Sequence, residues 1–129
     1  MAVDYRPLNS VTIPEPVIPP RIDELLDVVG NAKFFVKLDI SSAYWQMPVH
    51  PESICKTAIR TVDGFFEFLV MPFGVRNAPA QFCAMMDKIL EGLNWHICCA
   101  YIDDLLIWGD SCLIAFDRFF YALGCTVLN

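Results

Sequence analysis

Long apolar runs, paired metal-binding motifs and positive charge are what this 129-residue sequence is short of. No stretch reaches the roughly 20 uninterrupted apolar residues that cross a bilayer, and no charged-then-apolar segment opens the chain. No membrane partner is expected, and the reading is a soluble intracellular protein. The two histidines, His50 and His96, and the lack of any C-x-x-C leave no zinc framework. The six cysteines are even in number, yet Cys98 and Cys99 are adjacent, so they read as ordinary buried thiols of a reducing compartment and not as a disulfide scaffold. Cations are scarce as well: nine Lys and Arg face fifteen Asp and Glu, for a net charge of -6. Clustered cations are what grip a phosphate backbone, so any nucleic-acid role has to rest on a local site or on further parts. Internal repeats, low-complexity segments and linkers are also missing.

What is present is apolar material for one core. With 56% hydrophobic residues, 19% charged residues and a mean hydropathy of +0.46, the chain is too apolar for disorder and long enough for a single domain. Five of the nine prolines fall in the first twenty residues and predict an extended lead-in. Ile22, Leu25, Leu26 and Val29 have helical spacing over 21–29, with Gly30 placed to end the helix. The aromatic and β-branched run 33–40 reads as a buried strand that ends, unexpectedly for a core, in Asp39. Runs 56–62 and 65–71 around Asp63-Gly64 predict a β-hairpin. After Pro72-Phe73-Gly74, Asn77 is placed to cap a helix carrying Phe82, Met85, Met86, Ile89, Leu90 and Leu93 on one face and ending near Gly92. Residues 97–108 read as two strands folded around an acidic turn, Asp103-Asp104.

Those two neighbouring carboxylates lie inside a run that otherwise favours burial. Removing unpaired charges from water costs several kcal/mol each, and adjacent like charges oppose one another's ionisation. A solvent-exposed turn would relieve them. So would a divalent cation, which favours hard carboxylate oxygens. If the strand ending at Asp39 lies beside this hairpin, three carboxylates meet at one sheet end. That is the ligand chemistry of a two-metal clamp for in-line displacement at phosphorus.

Several ordered segments then resemble one family, the reverse transcriptases of gypsy-type long-terminal-repeat retrotransposons. Asp4-Tyr5-Arg6-Pro7-Leu8-Asn9 is similar to its opening motif and Arg21-Ile22-Asp23-Glu24-Leu25-Leu26 to its next helix. Lys37-Leu38-Asp39-Ile40-Ser41-Ser42-Ala43-Tyr44 resembles its first catalytic motif. Lys56-Thr57-Ala58, Glu67-Phe68 and Met71-Pro72-Phe73-Gly74-Val75-Arg76-Asn77-Ala78-Pro79 resemble its hairpin and substrate platform, and Tyr101-Ile102-Asp103-Asp104 its second catalytic motif. The resemblance implies an α+β fold, the right-hand polymerase palm: an antiparallel sheet backed by helices, with part of the fingers. Residues 1–13 and 47–77 would be fingers-like, and 14–46 and 78–129 palm-like.

By the same resemblance, Asp39, Asp103 and Asp104 are the catalytic acids and hold two Mg²⁺ or Mn²⁺ ions for attack of a primer 3'-hydroxyl on a deoxynucleoside triphosphate. Tyr44 packs beneath the incoming sugar, Phe73 and Gly74 lie beneath the nucleotide, and Arg6 and Arg76 contact template or phosphate. The implied partners are an RNA or DNA template with its primer, deoxynucleoside triphosphates, and the remaining polymerase subdomains of a longer polyprotein. The implied setting is the cytoplasm, the nucleus or a virus-like particle.

The departures from the family lead to a further expectation. The chain opens at the first motif, without the preceding fingers segment and its basic residues. Residues 109–124 lack the histidine-containing helix usual after the second catalytic motif, and the chain stops before the lysine expected next. A truncated domain is expected, inactive in isolation for want of a thumb and of positive charge. The competing reading is a non-catalytic retrotransposon remnant or interaction module.

Overall fold

A computed structural model of the chain describes residues 3–16, 21–30, 32–101 and 104–127. In chain order the elements are α1 (Arg6–Val11), α2 (Ile22–Val29), β1 (Phe34–Asp39), 3-10 turns at Ala43–Gln46 and Pro51–Thr57, β2 (Ile59–Thr61), β3 (Gly64–Phe66), α3 (Ala78–Ile89), β4 (Cys98–Tyr101), β5 (Asp104–Gly109) and α4 (Cys112–Val127). They form two compact units, residues 1–17 with 42–82 and residues 18–41 with 83–129.

The first unit is built from short elements and side-chain hydrogen bonds. Its lead-in is not wholly extended as expected, because α1 forms at Pro7. Proline is tolerated in a first helical turn, where its missing N–H has no partner to lose. The predicted hairpin is present but short: β2 and β3 pair from Ile59↔Phe66 to Thr61↔Gly64, so the connecting residues are Val62 and Asp63. Gly64 is the first strand residue, with φ 141°. The flanks expected to be strand do other work. The Thr57 hydroxyl donates to Ile54 O at 2.6 Å and accepts from Phe68 N at 2.8 Å. Tyr5, itself buried, donates its hydroxyl to Thr57 O at 3.2 Å. A buried threonine with its polar atoms engaged thus ties the lead-in to both flanks of the hairpin.

Asn77 does not cap α3 with its side chain. Its amide donates to Ile13 O at 2.9 Å and its carbonyl oxygen accepts from Glu15 N at 3.2 Å, so it fastens the lead-in instead. Only its backbone oxygen serves the helix, accepting from Gln81 N. The helix otherwise follows its pattern: Phe82, Met86 and Leu90 are buried one turn apart.

In the second unit a three-stranded antiparallel sheet runs in the order β1-β5-β4. The register pairs Val36↔Ile107, Leu38↔Leu105, Ala100↔Leu105 and Cys98↔Ile107, which collects an apolar face. Leu105, Ile107 and Cys98 on that face are buried. Gly109 continues the same side of β5, and a Cβ placed there would lie 2.8 Å from the Ala115 backbone nitrogen. The glycine therefore permits α4 to approach the strand. Arg118 of α4 secures this junction by donating from Nη1 to Trp108 O at 2.7 Å. The expectation of a buried first strand is corrected: among the described residues β1 is an edge, and Phe34, Phe35, Lys37 and Asp39 are exposed while Val36 and Leu38 are half-buried. The alternation is that of a strand with one wet face. α2 forms as predicted and ends at Gly30, whose φ is 52° and whose N–H donates to Leu26 O.

Candidate functional site

The strand register decides where the acids go. Asp39, last residue of β1, stands directly opposite Asp104, first residue of β5, and Asp104 in turn stands opposite Tyr101 of β4. Opposed residues in an antiparallel pair project to the same face with Cβ atoms about 4.5–5.5 Å apart. Two carboxylates are therefore neighbours at one sheet end. The expectation that Asp104 lies in a turn is corrected, because it is the first residue of β5 and pairs with Tyr101. The third expected acid, Asp103, lies outside the described residues.

Like charges directly opposite one another destabilise a sheet, and a third residue on this face answers them. Lys37 lies two positions before Asp39 on β1, and its Nζ is 2.8 Å from Asp104 Oδ2. The Asp104 side chain is 29% exposed and that of Lys37 65% exposed. In the sequence, Lys37 is one residue of a motif with no evident role. Its period-two spacing from Asp39 was the available signal, since residues i and i+2 share a strand face.

Hard carboxylate oxygens are a suitable donor set for Mg²⁺ or Mn²⁺, so the described pair fits such ions in chemistry. Among the described residues no group of three acidic, histidine or cysteine side chains gathers to hold a metal ion. Two thiols of this unit, Cys83 and Cys99, are half-buried and buried respectively. Burial pushes Cys83 upward and Cys99 up to about 11, with the Asp87 charge adding to both, which keeps them protonated at neutral pH.

The other predicted residues belong to the first unit, where the structure brings two of them together. Tyr44, in the 3-10 turn, meets the Phe73 ring edge-on at 5.3 Å and the Phe82 ring at 5.9 Å. Trp45 meets Phe73 at 5.6 Å. Phe73 is 51% exposed, so the aromatic cluster offers a face to solvent. Gly74 has φ 89°, a conformation glycine adopts without strain. Asn9 holds this segment in place: its side-chain amide donates to Gly74 O at 2.8 Å and its side-chain oxygen accepts from Arg76 N at 2.8 Å. The Arg76 guanidinium donates from Nη1 to Asn9 O at 3.3 Å. Arg6 is clasped by Asp4, with Nη2 2.6 Å from Oδ2, and the hydrogen bonds lower the pKa of Asp4 from the usual carboxylate value. Asn9, like Lys37, gains its role only through a partner distant in the chain.

Comparison with known proteins identifies the family. Residues 1–117 match the reverse transcriptase (RNA-dependent DNA polymerase) family. The chain belongs to it. Among its relatives, the Pol polyprotein of transposon 297 from Drosophila melanogaster is 41% identical over 111 residues, 86% of this chain and 10% of that polyprotein. An RNA-directed DNA polymerase homolog from Oenothera berteroana is 43% identical over 108 residues, 84% of this chain and 76% of that protein. The chain thus spans about a tenth of the transposon polyprotein. A crystal structure of prototype foamy virus protease-reverse transcriptase superposes with a TM-score of 0.81 over 98% of this chain and 17% of that one, at 24% identity. The α+β reverse-transcriptase fold is thereby established. A foamy viral protease-reverse transcriptase in complex with an RNA/DNA hybrid matches with a TM-score of 0.79 at 21% identity. Reverse transcriptases generally use divalent metal ions.

Proposed function

We propose that this reverse-transcriptase chain is the catalytic core of an RNA-directed DNA polymerase, adding deoxynucleotides to a primer 3'-hydroxyl on an RNA or DNA template. The observation that carries the reading is the opposition of Asp39 and Asp104 in the β1–β5 register. Asp39 and Asp104, with Asp103, would hold two Mg²⁺ or Mn²⁺ ions. When bound, these supply activation of the attacking hydroxyl and charge neutralisation at the displaced phosphate. The protein's own work is positioning, with no side chain acting as a nucleophile. Residues 14–46 and 78–129 serve as palm and residues 1–13 and 47–77 as fingers in this reading.

Tyr44 and Phe73 supply a packed aromatic surface for the nucleotide. Tyr44 excludes a 2'-hydroxyl by its bulk, and Gly74 allows close backbone approach. Arg76 would reach a phosphate or template from its place on Asn9. Arg6 has to exchange Asp4 for a phosphate oxygen, a replacement of one charge-assisted pair by another. The partners are a primed template, deoxynucleoside triphosphates and the further subdomains of a polyprotein, inside the cell.

The test joins this chain to the downstream polymerase segments of a related transposon polyprotein and measures primer extension with Mg²⁺. Extension that is lost in Asp39→Asn and Asp104→Asn is expected. Extension retained in either variant would overturn the assignment. Alone, the 129-residue chain with its net charge of -6 should not extend a primer, and robust extension would refute that part. The second reading, a non-catalytic interaction module, is favoured by the exposed apolar side chains of α4, with Leu113 78% accessible and Phe116, Phe120 and Tyr121 also exposed. Metal-independent self-association in sedimentation would support it.

A further inference from the structure

We infer that Lys37 is a resident counter-ion of the acidic pair, occupying Asp104 in the metal-free protein and yielding that carboxylate when a divalent cation binds. The inference rests on the metal-holding role proposed above for Asp39 and Asp104. Lys37, Asp39 and Asp104 share one face of the β1–β5 pair, with Lys37 diagonal to Asp104. The ammonium reaches the Asp104 carboxylate at 2.8 Å. In that position it offsets part of the repulsion between Asp39 and Asp104, so it stabilises the folded chain before metal arrives.

The same contact works against the metal. A carboxylate oxygen that coordinates a divalent ion gives up its share of the ammonium, and two cations on adjacent oxygens repel one another. Lys37 therefore lowers metal affinity while raising metal-free stability, two effects of opposite sign from one side chain. Its side chain is 65% exposed and its stem long, so water can solvate the ammonium where a cation takes the carboxylate. Lys37 acts through the acids and is a positioning residue.

Calorimetric titration of the purified chain with MnCl₂ and a metal-free melting curve test this together, on wild type, Lys37→Met, Lys37→Arg and Asp104→Asn. An exposed ion pair corresponds to about a two- to fivefold change in an equilibrium constant. Lys37→Met should bind Mn²⁺ about two- to fivefold tighter and melt about 1–5 °C lower without metal, while Lys37→Arg should resemble wild type in both. Equal or weaker Mn²⁺ binding by a folded Lys37→Met would overturn the counter-ion role. If binding is the same in wild type and Asp104→Asn, or absent from both, the metal-holding reading fails and this inference falls with it. If Asp104→Asn weakens binding but Lys37→Met leaves it unchanged, only the counter-ion role is lost.

Discussion

The two units place their candidate residues by different means. In the second, a ladder of paired strands sets Asp39 against Asp104, and the placement follows from the register of a whole sheet. In the first, Tyr44, Phe73, Gly74 and Arg76 lie on turns fastened by a few side chains, chiefly Asn9, Thr57 and Asn77. A ladder spreads positional information over many backbone bonds, so a single surface change barely moves it. A stapled loop concentrates the same information in one or two groups. Damage to the second unit should therefore be felt as lost stability, and damage to the first as lost local geometry.

The comparison breaks most visibly at Ile107. It is fully buried on the apolar face, and Ile107→Ala should cost about 2–5 kcal/mol in denaturant unfolding. Gly109→Ala comes next, at about 1–3 kcal/mol, because the added carbon meets α4 backbone, which cannot rotate aside. An unchanged midpoint would contradict the close approach of α4. Asn9→Ala should cost about 1 kcal/mol while altering amide exchange chiefly around Gly74 and Arg76, the signature of a staple. Exchange changes spread equally through β4 and β5 would erase the contrast.

Asp39→Asn should act in the opposite direction. Removing one of two opposed charges is expected to stabilise the metal-free chain by about 0.2–1 kcal/mol, and destabilisation would argue that the acids do not face one another. The last effect concerns pH and is silent at neutral pH. Burial holds the Cys99 thiol up at about 11 against an ordinary value of 9.0, so the folded state favours the protonated form. Its contribution is complete below about pH 9 and is lost as pH rises toward about 11, which pH-dependent unfolding of Cys99→Ser against wild type would reveal.

The strongly periodic features were legible in the sequence. The α3 stripe, the α2 end at Gly30, the strand ending in Asp39 and the folding back of residues 97–108 all rest on repeated local signals. α1 is not legible because the prolines bias their predecessors toward extended backbone, although a first helical turn accepts proline. The hairpin is shorter than its alternation predicts because Thr57 and Phe68 bond through a side chain, which no alternation pattern reports. At the candidate site, the acids drew attention as charges in an apolar run. Lys37 and Asn9 did not, since a lysine on a strand and an asparagine in a lead-in are unremarkable until their partners, distant along the chain, are known.

The alternation along β1 has a consequence for folding. A slip of one position against β5 would turn Lys37 and Asp39 inward among Ile107 and Leu105 and push Val36 and Leu38 out into water. The charges that suit this edge to chemistry thus also act as proofreaders of its assembly, because every mispaired alignment by an odd number of residues has to bury them.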